Sequence, residues 1–500
     1  MTRPIATLGV LAACAAFLFV DPQTTPIVLW DESRLAVNAL EMRLRGFSLV
    51  TTYGFAPDLW NTKPPLLVWL MQAAMGVFGA SEWALRIPSG LAAMGTLAMV
   101  MGFTRRAARS TAAGALAAVL LALSPGFFGE HGARTGDYDA LLSFFTTAYL
   151  LVLYRALHSR RPEAWRLVLA GGLIAGAVLT KSIAGLVPGV GLAAYLLIFN
   201  RWRRPLSSPW AAAAAALAIA PVAAFYLLRE AQAPGYLAAV WTNDVAGRFM
   251  TALDQHAGPP WYYLDTSFRM GLFSGGLMTL TAPLALLAVR GRARQGLIFA
   301  LCAAAGVLAA ISLSSTKLPQ YALPAYPFLA IAAAIAAHGL WTLRPQGRLG
   351  RRGRLAARAA LGIALAGVAV QAWEFRYRYF PGRQFYPQAL YGRLFSALAA
   401  QGVGEAVVVE RGAPGAGLPT GYAPQLRFYG LLWETRGLKA RQTLAVPSPA
   451  SGPPGGVVAS CDPRVIPALR AIGRAIPLDG PCVALRLAGP SRPLSGVEHQ

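Results

Sequence analysis

Long apolar runs separated by short polar segments dominate the chain. A helix that crosses a bilayer needs roughly 17–25 mainly apolar residues, because its backbone groups must be satisfied within the segment. The runs that approach this length predict spans at about residues 5–20, 86–103, 111–128, 140–157, 167–179, 183–199, 208–228, 270–289, 296–313, 320–342 and 356–372. The pattern therefore predicts an all-α polytopic membrane protein.

The run 64–80 is apolar as well, but it does not fit as an ordinary span. If it crossed the membrane, the arginines at 105–109 would lie on the opposite side from the other basic loops. We therefore predict a re-entrant or interfacial helix, which is allowed where it lines a protein cavity. The whole pattern predicts about 11–13 transmembrane helices.

Composition and charge agree with a membrane protein and argue against a nucleic-acid-binding one. The sequence is 56% hydrophobic and only 13% charged, with a net charge of +24. Its arginines stand in short clusters between apolar runs, which is the distribution expected of cytoplasmic loops. The clusters are Arg105–Arg109, Arg155–Arg166, Arg201–Arg204, Arg290–Arg294 and Arg344–Arg358.

With these clusters on the cytoplasmic side, most other polar residues collect on the outer side. Residues 1–372 are predicted to form the transmembrane catalytic domain, with outer loops at 21–85, 129–139 and 229–269. Residues 373–500 are rich in proline and glycine and contain a strand-like run at Ala406–Val409. This tail predicts a small soluble C-terminal α/β domain on the outer side.

The four cysteines do not have the spacing of a zinc site. Cys14 and Cys302 lie in apolar runs and are expected to pack as inert side chains. Cys461 and Cys482 would face an oxidising compartment, where they could form a disulfide. Two free thiols in the tail remain the alternative.

The stretch from Asp31 to Pro65 is unusually rich in charge for this chain. Carboxylates can deprotonate an acceptor or hold a metal, clustered cations suit a phosphate leaving group, and aromatic rings suit sugars. Such groups together favour an active-site loop that transfers a group from a lipid-linked phosphate, and they leave ion or solute transport open. The charged residues are Asp31, Glu32, Arg34, Glu41, Arg43, Arg45, Asp58 and Lys63.

The order of several motifs resembles the bacterial branch of the GT-C glycosyltransferases. This group holds the lipid A aminoarabinose transferases, the galacturonic-acid transferases and the protein O-mannosyltransferases. The resemblance extends over residues 1–340 and does not cover the tail. It rests on Trp30–Arg34, Lys63–Leu66, Phe78–Ser89, Arg134–Leu142, Leu179–Lys181, Asp244–Tyr263 and Ser315–Pro324.

The resemblance implies an inverting transfer of a sugar from a polyprenyl-phosphate donor, without a nucleotide cofactor. The implied acceptor is lipid A, lipopolysaccharide core, another glycan or a protein. The implied location is the bacterial inner membrane, with the active site and the C-terminal domain in the periplasm. A protein O-mannosyltransferase, a transporter or flippase of lipid-phosphate sugars, and an O-antigen ligase or polymerase remain alternatives.

The resemblance also assigns roles to individual residues. Asp31, Glu32 and Asp139 are the implied catalytic acids. The residues implied to hold the donor phosphate are Lys63, Arg248, Lys317 and Tyr321. Other polar and aromatic residues of the outer face are assigned to substrate binding, namely Arg34, Arg134, Lys181, Trp261 and Tyr262.

A divalent metal is left open by the same comparison. In metal-dependent relatives, an acid just before the Lys-Pro-Pro motif and a histidine of the long loop are ligands. Here Thr62 precedes Lys63, and only His256 of the expected pair is present. A lone histidine is a poor zinc site.

Overall fold

The structure, a computed structural model, is mostly helical. It describes residues 2–19, 27, 31–159, 163–199, 208–246, 256–267, 281–342, 350–379, 390–411, 422–446, 456–478 and 480–487.

The first half of the described chain contains ten of its helices, numbered here in chain order. They are α1 (Thr2–Phe19), α2 (Asp31–Arg45), α3 (Leu66–Phe78), α4 (Glu82–Ala108), α5 (Thr111–Ala122), α6 (Pro125–Phe128), α7 (Tyr138–His158), α8 (Ala164–Lys181), α9 (Gly189–Phe199) and α10 (Trp210–Gln232).

The second half of the described chain contains nine further helices. They are α11 (Tyr236–Val240), α12 (Tyr262–Ser267), α13 (Ala282–Ala288), α14 (Gly291–Ser312), α15 (Tyr326–Trp341), α16 (Arg351–Tyr379), α17 (Leu390–Ala400), α18 (Pro424–Glu434) and α19 (Ile466–Leu469). A π-helical turn follows α11 at Trp241–Ala246, and 3-10 helices lie at Ser182–Gly185 and Pro319–Ala325.

The chain is a multi-span membrane protein. Among the described residues, six helical segments are long and apolar enough to cross a bilayer, and four shorter apolar helices accompany them. The six are Glu82–Ala108, Tyr138–His158, Ala164–Gly185, Trp210–Gln232, Gly291–Ser312 and Pro319–Trp341. The prediction of a polytopic helical protein is confirmed, whereas the full number of spans stays a prediction.

Two predicted spans differ from the structure in detail, and a third cannot be compared over most of its length. The segment 183–199 begins with a 3-10 turn, so that its α-helix, α9, has only 11 residues. The segment 111–128 is interrupted after Ala122, because Pro125 begins a separate short helix. Most of the segment 270–289 lies outside the described residues.

The apolar run 64–80 forms α3, which has 13 residues. At 1.5 Å per residue this helix is about 20 Å long, which is shorter than the roughly 30 Å hydrocarbon core of a bilayer. Its buried side chains Leu67, Val68 and Met71 pack with α2 and α4 in one hydrophobic core. The length agrees with the predicted re-entrant or interfacial helix.

The charged stretch that begins at Asp31 was predicted as a loop, and this is wrong for its first half. Residues Asp31–Arg45 form α2, with two acids in the first turn and Arg43 and Arg45 in the last turn. This arrangement suits the helix dipole, because negative charge is favourable at a helix start and positive charge at its end. Only the part after Arg45 is irregular, apart from the small hairpin of β1 (Thr52–Tyr53) and β2 (Ala56–Pro57).

The arginine clusters and the predicted outer residues lie at opposite ends of the same helices. Helices α7, α8 and α14 each have a predicted outer residue at or just beyond one end and an arginine near the other. The pairs are Asp139 and Arg155, Lys181 and Arg166, and Ser314 and Arg292. The two kinds of residue are thus separated along the helix axes, as the sequence pattern predicts.

The C-terminal region contains a five-stranded mixed sheet. Its strands are β3 (Glu405–Val409), β4 (Lys439–Thr443), β5 (Val457–Ser460), β6 (Gly473–Ile476) and β7 (Val483–Leu487). Their order is β4-β3-β5-β7-β6, in which β3 pairs in parallel with β4 and β5, and β7 pairs antiparallel with β5 and β6. The strand expected at Ala406–Val409 is confirmed as β3.

The C-terminal region is joined to the membrane portion by a continuous helix and by a shared hydrophobic core. Helix α16 runs through the domain boundary predicted at 372/373. Buried side chains of α17 and α18, such as Phe395 and Tyr429, share one core with Leu40 of α2 and Met71 of α3. The C-terminal region therefore packs directly on the element that carries Asp31. Within it, Cys461 and Cys482 form a disulfide.

Candidate active site

The ends of several helices meet at a pocket with a cavity volume of about 100 Å³. Its charged and polar lining comes from residues at or near helix ends, and its apolar lining comes from α7, α14 and the segment between α8 and α9. The polar side chains are Lys63, Asp139, Lys181, Ser182, Asp244, Ser314 and Tyr321. The apolar ones include Leu142, Ile183, Val187, Val307 and Ile311.

Asp139 and Lys181 form a buried ion pair in this pocket. The Lys181 Nζ lies 2.6 Å from Oδ1 and 2.7 Å from Oδ2 of Asp139. Side-chain exposure is 10% for Lys181 and 2% for Asp139, so both charges are largely removed from water. The ammonium also lies 5.6 Å from the centroid of the Tyr321 ring. Two charges that would be costly to bury singly are therefore held together beside the cavity.

Lys63 enters the pocket from the segment before α3. The two residues before it are held by hydrogen bonds, because Tyr236 donates to the Thr62 carbonyl at 2.7 Å and the Asn61 side chain donates to the Tyr138 hydroxyl at 3.1 Å. The Lys63 Nζ lies 5.7 Å from the centroid of the Tyr138 ring. These contacts place a compact positive charge at the pocket wall.

Asp31, the first residue of α2, faces an imidazole. The Nδ1 atom of His131 lies 3.8 Å from Oδ2 of Asp31 and 2.5 Å from Oδ2 of Asp137. Asp137 is buried and also accepts a hydrogen bond from the Tyr138 amide at 2.9 Å, so that it caps α7. Asp31 keeps 31% of its side chain exposed, which leaves its carboxylate accessible.

Glu32 has a different environment from its neighbour. Its carboxylate accepts bonds from Nε and Nη2 of Arg86 at 2.7 and 3.0 Å and from the Gly136 amide at 2.8 Å. Only 2% of its side chain is exposed. These contacts fit a residue that ties α2 to α4 and to the loop before α7.

Arg34, which was assigned to substrate binding, is paired within the protein. Its guanidinium donates to both carboxylate oxygens of Asp58, at 2.9 and 2.6 Å, and to the Tyr422 hydroxyl at 2.9 Å. Burial alone would raise the pKa of Asp58, but the hydrogen bonds and charge of Arg34 hold that pKa below its usual range. Arg34 also stacks against the Trp60 ring, which is half exposed.

Four other predicted residues are not among the lining residues of the pocket, namely Lys317, Arg134, Trp261 and Tyr262. Lys317 is buried, and its Nζ donates to the carbonyl oxygens of Ser312 and Ser314. Arg134 is partly buried, with its guanidinium 5.4 Å from the Phe128 ring centroid. Trp261 is 64% exposed, and Tyr262 is partly buried against the membrane core. Arg248 lies outside the described residues.

The residues at the expected metal positions do not supply a ligand set. Thr62 is buried with its carbonyl bonded to Tyr236, and His256 is an exposed residue whose carbonyl accepts a bond from the Lys317 amide. In the part of the chain that the structure describes, Asp31, His131 and Asp137 bring possible ligand atoms within 4.8 Å of one another. Since His131 Nδ1 is engaged with Asp137, we interpret this group as a hydrogen-bonded cluster and derive no step through a metal.

Sequence reasoning missed several residues of this site. His131 belongs to the predicted outer tip, but it had no role because the tip offers no spacing motif. Asp244 was part of a motif but had no assigned function, and it lines the pocket. Asp58 and Arg86 also had no role, because their partners lie 24 and 54 positions away.

Comparison with known proteins agrees with this geometry. Residues 62–227 match a family model described as dolichyl-phosphate-mannose-protein mannosyltransferase. An undecaprenyl phosphate-alpha-4-amino-4-deoxy-L-arabinose arabinosyl transferase of Pseudomonas savastanoi pv. phaseolicola is 28% identical over 315 residues, which are 61% of this chain and 56% of the relative. A protein of the same name from Pseudomonas aeruginosa is 28% identical over 373 residues, which are 73% of this chain and 64% of the relative.

The fold is similar to that of a solved transferase. The crystal structure of ArnT from Cupriavidus metallidurans bound to undecaprenyl phosphate superposes with a TM-score of 0.66 at 20% sequence identity, covering 97% of this chain and 99% of that one. By sequence, however, this chain spans only 56% and 64% of the length of the two curated relatives. The resemblance read from the motifs is confirmed: residues 62–227 match the model of the dolichyl-phosphate-mannose-protein mannosyltransferase family, and the chain shares the fold of the ArnT structure.

Proposed function

We propose that this protein is a membrane glycosyltransferase that moves a sugar, with inversion, from a polyprenyl-phosphate donor to an acceptor at the membrane surface. The acceptor classes are lipid A, lipopolysaccharide core, another glycan or a protein. The observation that carries the proposal is the pocket, which joins a charged mouth to an apolar interior. The names of the curated relatives, which are undecaprenyl-phosphate-sugar transferases, support the donor class.

The pocket has the two surfaces that a lipid phosphate requires. A phosphate at the helix ends would meet Lys63 and the Lys181–Asp139 pair, while an isoprenoid chain would contact Leu142, Val307 and other apolar residues deeper along the helices. Clustered cations in a partly dry site stabilise the charge that develops on a departing phosphate. A soluble sugar phosphate would gain nothing from the apolar part.

The chemistry is a single displacement at the anomeric carbon. Asp31 takes the proton of the acceptor hydroxyl or amine, the acceptor bonds to the anomeric carbon, and the bond from that carbon to the phosphate oxygen breaks. The bonding electrons leave with the lipid phosphate, whose charge is stabilised by Lys63 and Lys181. Asp139 holds Lys181 in place, and Tyr321 lies beside that pair.

We also propose that the protein lies in a bacterial inner membrane with the pocket on the periplasmic side. The arginines at the helix ends opposite the pocket support this orientation, because cytoplasmic loops are enriched in Lys and Arg. Reporter fusions after Arg292 and after Gln401 test it. The expected result is a cytoplasmic reporter for the first fusion and a periplasmic one for the second, and two signals on the same side would contradict the orientation.

The activity is tested with purified protein in nanodiscs. The assay offers undecaprenyl-phosphate aminoarabinose as donor and lipid A as acceptor, with mass spectrometry of the acceptor and of the released undecaprenyl phosphate. Asp31→Asn and Lys63→Ala should each lower the transfer rate by about 100-fold or more, as expected for a general base and for a charge that stabilises the leaving group. Glu405→Gln and Lys439→Ala, two matched changes on the exposed face of the C-terminal sheet, should leave it unchanged.

A second assay identifies the sugar that is transferred and the acceptor that receives it. Deleting the gene from its bacterium and comparing outer-membrane glycolipids and glycoproteins by mass spectrometry should reveal the missing glycoform. If Asp31→Asn and Lys63→Ala both restored it fully, the active-site assignment would be wrong. If labelled donor crossed proteoliposomes without any transfer, the protein would be a flippase instead.

A further inference from the structure

Arg229, in the last turn of α10, is a fully buried cation that takes part in no ion pair among the described residues. The acids that act on its charge are Asp58 and Glu230. The Asp58 carboxylate is already bound by Arg34, and that of Glu230 by two backbone amides at the start of α11. The Nη1 atom of Arg229 has no hydrogen-bond partner in the part of the chain that the structure describes. A buried charge without a counterion costs free energy, and an ionisable residue in a membrane-spanning helix is therefore expected to have a function.

The guanidinium of Arg229 acts on two points of the segment that ends at Lys63. Its Nη2 atom lies 3.4 Å from the carbonyl oxygen of Asp58. Its Cζ atom lies 4.6 Å from the centroid of the Tyr236 ring, and the hydroxyl of that ring donates to the Thr62 carbonyl at 2.7 Å. One planar group therefore reaches residue 58 directly and residue 62 through Tyr236.

The same segment is also held from α2 and α7. The Asn61 side chain donates to the side-chain oxygen of Asn38 at 2.9 Å and to the Tyr138 hydroxyl at 3.1 Å. The Asn61 amide donates to the Asp58 carboxylate at 3.0 Å, which closes the turn. The segment is thus anchored at three positions before the chain reaches Lys63, a lining residue of the pocket.

Stacked tyrosines connect Arg229 with a second point of the pocket lining. The rings of Tyr226 and Tyr236 lie 5.9 Å apart at an angle of 26°. The Tyr226 hydroxyl donates to the hydroxyl oxygen of Ser182 at 3.0 Å, and Ser182 lines the pocket. Arg229 is not itself a lining residue, so it lies behind the wall that it supports.

We propose that Arg229, acting through Tyr236, is a positioning residue that holds the Lys63 ammonium where the donor phosphate binds. The proposal rests on the proposed function, in which Lys63 stabilises the phosphate of the lipid donor. An apolar side chain would fill the same space without a desolvation cost, but it would neither face the Tyr236 ring as a cation nor reach the Asp58 carbonyl. Arg229 itself neither touches the phosphate nor transfers a proton.

The experiment measures equilibrium binding of radiolabelled undecaprenyl phosphate to the full chain in nanodiscs. Arg229→Gln and Tyr236→Phe should each weaken binding by about 5- to 10-fold, as expected for one lost hydrogen bond, and Lys63→Ala by about 10- to 100-fold. Adding either change to Lys63→Ala should cause no further loss, because a residue that acts only through Lys63 then has nothing to position.

Further variants make the result specific. Arg229→Lys keeps the charge but not the planar group, and it should bind as weakly as Arg229→Gln. Tyr391→Phe is the matched control for Tyr236→Phe, since the buried Tyr391 hydroxyl has no hydrogen-bond partner among the described residues, and it should bind as wild type. If Arg229→Gln does not fold, Tyr236→Phe, which removes a single oxygen atom, carries the same test.

The binding measurements also define what would overturn the inference. Equal losses in the wild-type and Lys63→Ala backgrounds would show a merely structural role, because such a residue acts on the fold whatever stands at position 63. Unchanged binding in both single variants would exclude the positioning role as well. A wild-type protein that binds undecaprenyl phosphate but transfers no sugar would contradict the proposed function alone, and this is visible before any variant is compared.

Discussion

Two adjacent acids, Asp31 and Glu32, begin the same helix but have opposite surroundings. Successive residues of an α-helix point about 100° apart, so one carboxylate can face the open side of α2 while the next faces α4. The first remains accessible beside His131, and the second is enclosed by Arg86 and the Gly136 amide. The two residues should therefore fail in different ways when substituted.

Glu32→Gln is expected to destabilise the fold, because it removes the negative charge from a buried ion pair with Arg86. The loss should be about 3–5 kcal/mol, seen as a lower unfolding temperature in detergent. Asp31→Asn should keep the wild-type unfolding temperature while losing transfer activity. Equal stability of the two variants would contradict this division of roles.

The pair of His131 and Asp137 predicts a particular dependence of stability on pH. The pKa of His131 is raised in the folded state to about 10, and that of Asp137 is lowered. A raised histidine pKa adds stability that is complete below the unfolded value of about 6.5 and is lost as the pH approaches 10. The gap in unfolding temperature between wild type and His131→Gln should be greatest near pH 6 and vanish near pH 10, whereas a constant gap would contradict the ion pair.

At the scale of single residues, the sequence predicted the candidate reacting residues better than the residues that form ion pairs with acids. Asp31, Lys63 and Asp139 were found because they stand in motifs of recognisable order. Arg86 stands in the motif segment Phe78–Ser89 but was given no role, and Arg427 stands in no motif. Their acids lie 54 and 386 positions away in the chain. Pairing over such distances depends on the packing of whole elements, which periodicity along the chain does not record.

At the scale of elements, glycines allow two membrane helices to touch. A Cβ atom added at Gly306 of α14 would lie 2.3 Å from the Gly191 amide of α9, and one added at Gly191 would lie 2.3 Å from the Cys302 carbonyl. Small residues permit such close approach in membrane proteins. Val307, the next residue of α14, lines the pocket.

Gly306→Ala should force α9 and α14 apart and cost about 1–3 kcal/mol, because its Cβ would meet backbone atoms rather than the flexible end of a side chain. The measurement is the unfolding temperature with and without undecaprenyl phosphate. Gly189→Ala is the control, since a Cβ there meets open space. Equal behaviour of the two variants would contradict the close helix contact.

Helix α18 of the C-terminal region holds α2 through one buried acid. Glu41 is fully buried and accepts bonds from Arg427 at 2.7 Å and from the Thr52 hydroxyl and the Gly54 and Phe55 amides. Tyr429 adds a bond from the Ile27 amide to its hydroxyl at 2.9 Å. The C-terminal region thus supports the helix that begins with Asp31.

Arg427→Ala should therefore lower both stability and transfer activity, although it lies outside the pocket lining. Losing a bond to a buried charged group costs about 1.5–3 kcal/mol. Arg441→Ala is the matched control, because Arg441 is 73% exposed and its 3.9 Å contact with Glu405 is a surface pair. If the Arg427→Ala variant kept wild-type stability and transfer activity, α18 would not support the site.

At the scale of the whole molecule, the disulfide gives an independent test of orientation. Cys461 and Cys482 are bonded, and Cys14 and Cys302 are free in apolar helices. A periplasmic C-terminal region would be oxidised in living cells, whereas a cytoplasmic one would be kept reduced. Maleimide–polyethylene glycol should label both cysteines of a Cys14→Ala, Cys302→Ala protein only after reduction, and labelling without reductant would contradict the periplasmic orientation.

The overall arrangement was predictable to the extent that it follows from hydrophobic length and charge asymmetry. Both properties place α7, α8 and α14 across the membrane with their arginines opposite the pocket residues. The structure of Asp31–Arg45 was not predictable in this way, because the buried face of this helix includes the polar residues Asn38 and Glu41 among its apolar ones. The sheet was anticipated only at Ala406–Val409, since β5 and β6 have only four residues each and β4 is largely polar.

The contact between Glu41 and Arg427 also has a consequence for biosynthesis. The two residues are 386 positions apart, and ribosomes add roughly 5–20 residues per second. The acid is therefore made about 20–80 s before its arginine. During that interval α2 lacks the residues of α18 that pack on it, so a nascent chain or one truncated before Arg427 should be inserted in the membrane yet inactive.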